Sequence, residues 1–237
     1  MNIGNAFDTA DIAAGSRISE IGTATPTSRV FGAAMILAPA VSLLSTVVYV
    51  LGGGLNKDQA GGVIQLYGVV VYAVAIIGLL RLVERPLPRL SAALTGLGMM
   101  TVAAGVGFGM DSIVRAVNPA AALSQSHSAA ANLALLLPGL TFPLTWIGLG
   151  LSLVKTGVVP RWSGYTIALG GLLFPVARIP GIDALALVAD AALMIGLAPI
   201  GLSILTRGRR PAPRPSEPAE DGFLDARVSP FSTGEPQ

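Results

Sequence analysis

The chain has 237 residues, 52% hydrophobic and only 12% charged, with a net charge of +2 and a mean hydropathy of +0.70. A soluble domain carries about 25% charged residues, so this chain lacks the charge to cover a water-facing surface. Its apolar runs approach the ~20 residues of a bilayer span rather than the ~4–8 of a buried strand.

Cysteine is absent, which excludes disulfides, thiolate metal sites and cysteine nucleophiles. The single histidine, His127, excludes a multi-histidine metal or haem site within one chain. The basic pI of about 9.3 does not require nucleic acid. The arginines and lysines cluster beside apolar runs, which is the positive-inside pattern of membrane proteins.

Residues 1–29 form a polar tail with no apolar core ending in a cleavage site, so no signal peptide is read here. A short amphipathic helix near 12–21 is interrupted by Gly15 and Gly22. The first expected span is Val30–Leu51, with a kink at Pro39 and a stop at Gly52-Gly53-Gly54. The second is Gly62–Leu80, whose polar groups are Gln65, Tyr67 and Tyr72.

The bend Arg81–Arg89 follows, with three arginines and two prolines that stop any helix from running through. The third span is Leu90–Met110. Thr101, Gly105 and Gly109 lie four apart on one face, a small-residue stripe that lets another helix approach closely. Residues 111–128 read as an outer connection with a short surface helix, where Asp111 and Arg115 face each other one turn apart.

The fourth span is Ala129–Val154, holding Asn132, Pro138, Thr141, Pro143, Thr145 and Trp146. Its two prolines leave carbonyls without donors, and Thr141 and Thr145 are candidates to satisfy them. The fifth is Trp162–Ile179 and the sixth Ile182–Leu205, with Asp190 about two turns in. Trp146 and Trp162 read as belt aromatics at the membrane interface. Residues 207–237 read as a disordered, proline-rich cytoplasmic tail.

These elements give an all-α polytopic membrane protein, a bundle of six transmembrane helices over residues 30–206 with both termini cytoplasmic. The two tails and the loops 81–89 and 155–161 then carry eleven basic residues, leaving out Arg227. The opposite side has three: Lys57, Arg115 and Arg178.

Asp190 is the leading candidate for chemistry. It lies seven residues, or roughly 10 Å, beyond Asp183, and a carboxylate at that depth must face the bundle, meet a donor or be protonated. Asn132 and Gln65 are candidate donors. Asp111, Asp183 and Asp190 together suggest an outward-facing acidic cluster. No phosphate loop, HExxH or GxSxG is present, so no catalytic set, cofactor or metal site is assigned.

The stretch Gly157-Val158-Val159-Pro160-Arg161-Trp162-Ser163-Gly164-Tyr165, leading into Leu169-Gly170-Gly171, resembles a turn seen in small uncharacterised six-helix bacterial integral-membrane proteins. The resemblance covers helices 4 to 6 and implies a bacterial cytoplasmic-membrane protein, with no activity attached. On this reading the chain is a scaffold, sensor or accessory subunit in the bilayer, with a membrane-protein partner or a second copy. The alternative is a small transporter or permease-like protein using Asp190 in a proton or cation step.

Overall fold

The computed structural model describes residues 25–207, apart from 127, 132, 134 and 136–138. The expected tail and amphipathic helix within 1–24, the C-terminal tail beyond 207, His127, Asn132 and Pro138 lie outside the described residues.

Helix α1 (Pro26–Leu51) starts earlier than expected, because Thr25 caps it by accepting the Ser28 N–H at 3.2 Å and Pro26 occupies its first turn. It runs unbroken through Pro39 and ends at the glycine triplet, where Gly53 and Gly54 take φ of 111° and 115°. Helix α2 (Gln59–Glu84) is capped by Asp58, which accepts the Gly61 N–H at 2.7 Å. The proline-bearing bend ends it, and α3 (Pro88–Val117) restarts with Pro88 in its first turn. Helix α3 runs about two turns further than expected and takes in Asp111 and Ser112, both buried.

The outer connection then holds 3₁₀ turns at Pro119–Ala121 and Leu123–Gln125 in place of the expected surface helix, followed by the single turn α4 (Ala129–Ala131). Helices α5 (Thr141–Thr156), α6 (Arg161–Arg178) and α7 (Asp183–Arg207) complete the chain.

The expectation of six transmembrane helices is corrected. The all-α bundle has seven described helices, and four of them, α1, α2, α3 and α7, are long and apolar enough to cross a bilayer. The expected fourth span is not one helix. Its continuous part begins at Thr141, so that Pro143 falls in the first turn, where a missing N–H costs nothing. The 16 residues of α5 reach roughly 24 Å, against a hydrocarbon core of about 30 Å. Helix α6 has 18 residues, with Arg161 and Arg178 at its ends and Ser163, Thr166 and paired glycines between them. That composition is too polar for a span. Four apolar spans still make this a polytopic helical membrane protein.

The six long helices form a closed ring: each packs on the next, α3 meets α5, and α7 returns to α1. At one end lie the bend after α2, the turn between α5 and α6, and the C-terminus of α7. Leu94 near the start of α3 abuts Gly148, and Arg81 sits over the Phe31 ring at 5.9 Å. At the other end the Leu55 N–H reaches Asp183 at 3.4 Å, and Gly62 abuts Ile113.

Trp146 is not a belt aromatic. It is fully buried in the ring, 5.2 Å from Tyr72 and 6.0 Å from Phe142 between ring centroids. Trp162 is 46% exposed at the arginine-rich end.

Candidate intramembrane site

Helix α1 presents Ser42, Thr46 and Tyr49 one turn apart on a single face. That face meets Asp190 of α7, whose side chain is completely buried. The Ser42 hydroxyl donates to Asp190 Oδ1 at 2.9 Å and the Thr46 hydroxyl to Oδ2 at 2.5 Å. Arg178, at the C-terminus of α6, places Nη2 2.7 Å from Thr46 Oγ1 and 3.4 Å from Asp190 Oδ2. This is the one ion pair within 4 Å among the described residues. Thr46 thus accepts from the guanidinium and donates to the carboxylate, bridging the two charges. The Phe174 ring lies 4.6 Å under the Arg178 guanidinium and covers its face. A buried carboxylate is tolerated at this depth because two hydroxyl donors and an oppositely charged guanidinium surround it.

A cavity of about 320 Å³ opens beside this pair. Tyr72, Phe142 and Phe174 form aromatic wall; Ser42, Gln65 and Arg178 supply polar wall, and Ser124 and Ser126 of the outer connection border it. Phe142 and Phe174 lie 4.0 Å apart between centroids. The Tyr72 hydroxyl and Arg178 Nε are buried behind the cavity wall, and the Ser42 oxygen lies against the Tyr72 hydroxyl. The outer connection is held over the cavity by Asp111, which accepts the Ser124 N–H at 3.2 Å rather than pairing with Arg115.

The sequence-predicted residues separate into three places. Asp190 is at the centre of the charged site. Gln65 lines the cavity but does not reach Asp190; its Oε1 accepts from the Tyr49 hydroxyl at 2.9 Å. Thr141 and Thr145 meet Thr101, at 3.2 Å and 2.9 Å, in a hydroxyl cluster between α3 and α5.

Gly105 and Gly109 form the rest of the stripe and pack on α2, where a Cβ would meet Val69 and Leu66. The acidic cluster does not form: Asp111 caps Ser124, Asp183 accepts from Leu55, and Asp190 pairs with Arg178. Among the described residues, no three His, Asp or Glu side chains converge on a metal position.

Thr101→Val is expected to cost about 0.6–1 kcal/mol, the size of an interhelical hydroxyl bond in a bilayer. Thermal unfolding in mild detergent checks this, and an unchanged midpoint would show that the threonine cluster contributes no stability.

Compared with known protein families, curated proteins and solved structures, the chain matches none. The functional reading therefore rests on the site alone.

Proposed function

We propose that the protein is a sensor or accessory subunit of the bacterial cytoplasmic membrane that receives a small apolar molecule in its cavity. The observation that carries this reading is the cavity itself: aromatic walls and a few converging polar groups are the makings of a ligand site. The charges beside it are already paired, and Asp190 is engaged by Arg178, Ser42 and Thr46. These features favour binding over catalysis.

The bacterial placement rests on the resemblance carried by Gly157–Tyr165. The orientation rests on charge: Arg81, Arg85, Arg89, Lys155 and Arg161 gather at one end of the ring, against Lys57 and Arg115 at the other. The arginine-rich end faces the cytoplasm, and both termini with it. A C-terminal reporter is expected to be active only in the cytoplasm, and activity on the outer side alone would reverse the orientation.

Native mass spectrometry after gentle extraction tests the binding reading. A small molecule retained at fixed stoichiometry is expected. A chain that always emerges bare, alone and monomeric would count against both the ligand and the partner of an accessory subunit.

A second reading, a small transporter, is favoured by the continuous path from cavity to Ser42 to Asp190, with Thr46 bridging to Arg178. It requires that Asp190→Asn abolish a proton or cation flux into proteoliposomes. A flux that survives the substitution unchanged would remove that reading.

A further inference from the structure

We propose that residues 118–126 form a gate over the cavity, latched shut by Asp111, and that the molecule received there enters and leaves from this end of the ring. The inference deepens the binding reading above and rests on it for the molecule. The gate itself is read from how the outer connection is held.

Leu123, Ser124 and Ser126 of the connection complete a cavity wall whose other side chains come largely from the ring helices. Those helices share one packed core and cannot part without exposing it. The connection is held differently. Of residues 118–126 only Ala122 is buried, so lifting the segment uncovers little apolar surface. Its 3₁₀ turns close on themselves: the N–H groups of Ala121, Ala122, Gln125 and Ser126 all donate to carbonyls within the segment. It can swing as a unit without losing them.

One bond ties the segment back onto the ring. The Ser124 N–H donates to Asp111 Oδ1 at 3.2 Å. Beyond the Asn118 N–H that ends α3, it is the one hydrogen bond from 118–126 to a ring helix among the described residues. Asp111 is buried and forms no ion pair with Arg115, so its carboxylate is left to serve Ser124. A charged acceptor makes this bond stronger than an ordinary amide one. Ser124 also lines the cavity, so release of the latch moves the wall. Asn118, at φ −143° and ψ 87°, breaks the helix and supplies the pivot. A segment with one buried residue and one crossing bond opens locally while the rest stays folded.

The chain has no cysteine, so a single introduced thiol reports one place. Ala104→Cys, in the cavity wall, reads the interior; Ser152→Cys, buried in α5 outside the cavity, reads opening of the ring itself. The full chain is placed in lipid nanodiscs, which leave both faces in water. It is treated with a trimethylammonium methanethiosulfonate, whose charge keeps it out of lipid. Where reclosing outpaces modification, the rate follows the open fraction.

Asp111→Leu removes the acceptor and is expected to speed modification of the Ala104→Cys thiol about ten- to hundredfold, the factor carried by one hydrogen bond to a charged group. Asp111→Asn keeps an acceptor oxygen and should change the rate far less. The Ser152→Cys thiol should stay protected in both. An unchanged rate in Asp111→Leu, or an equal rise in Asp111→Asn, would overturn the latch. So would an Ala104→Cys thiol that already reacts in the latched chain as fast as one at the exposed Ser126.

If Asp111→Leu also exposes the Ser152→Cys thiol, the ring has opened as a whole, and Ser124→Pro decides. It removes the same N–H from the connection and leaves α3 intact. Faster modification at Ala104→Cys alone supports the gate; no change, or exposure of both thiols, overturns it. None of these rates depends on a ligand, so failure of the gate leaves the binding reading to the mass-spectrometric test.

Discussion

Arg178→Leu is expected to lower stability by about 3–5 kcal/mol, because it leaves the Asp190 carboxylate buried without its counter-charge. The loss is capped where Asp190 takes up a proton, since a neutral carboxyl is cheaper to bury than an unpaired anion. Asp190→Asn should cost less, about 1–3 kcal/mol. The amide oxygen can still accept from one of the two hydroxyls while its NH2 donates to the oxygen of the other, and the stranded guanidinium keeps the Phe174 face. The double variant Arg178→Met with Asp190→Leu should recover much of the loss, since paired buried charges replaced together by apolar groups of similar volume are often neutral or better. Thermal unfolding of the parent protein, Arg178→Met, Asp190→Leu and their double variant in the same mild detergent gives the coupling directly. Single-variant losses that simply add in the double variant would mean that Asp190 and Arg178 do not stabilise one another.

Asp190 was legible in the sequence because depth alone makes a carboxylate informative: one acidic residue two turns inside an apolar run has to be answered by something. What answered it was harder to read. Arg178 closes its own helix and looks like an interfacial charge. Only a tight turn between α6 and α7, with Gly181 at a φ of 74°, folds it back beside α7. Its long apolar stem then lets the guanidinium reach down to Asp190. The donors on α1 did leave a signal. Ser42, Thr46 and Tyr49 form a polar stripe at helical spacing inside an apolar span, and such a stripe must face the bundle.

The four long spans followed from apolar length, and the bend at Arg81–Arg89 was placed by its prolines. The fourth expected span was too long because its described continuous helix begins only at Thr141, with Leu140 in a turn before it. Trp146 misled for a related reason. Tryptophan near the end of an apolar run usually marks the interface, but here α5 carries it inward against Tyr72 and Phe142. Asp111 likewise read as a partner for Arg115 until α3 extended past it and the outer connection folded back to give it the Ser124 N–H.

Gly201→Val is expected to be the most damaging single change away from the charged site. Glycines 32 and 201 face each other across the seam where α7 closes the ring against α1. A Cβ on Gly32 would lie 2.9 Å from the Gly201 carbonyl oxygen, and one on Gly201 would also press on Ile36 and Met35. The obstacle is backbone, which has no rotamer to change, so the two helices must separate. Overpacking of this kind costs about 1–3 kcal/mol. The consequence also extends beyond stability, because the same seam sets Ser42 and Thr46 of α1 against Asp190 of α7. Gly201→Val should therefore disturb the Asp190 site as well as lower the unfolding midpoint. Gly96→Ala supplies the contrast: it sits on the outer face of α3 with no atom within 4 Å of an added Cβ. Relief of glycine's helix penalty, about 0.8–1 kcal/mol in soluble helices, makes it neutral or stabilising. Equal unfolding midpoints for the two variants would mean that ring closure does not depend on the close approach of α1 and α7. The link between the seam and the Asp190 site would then fall with it.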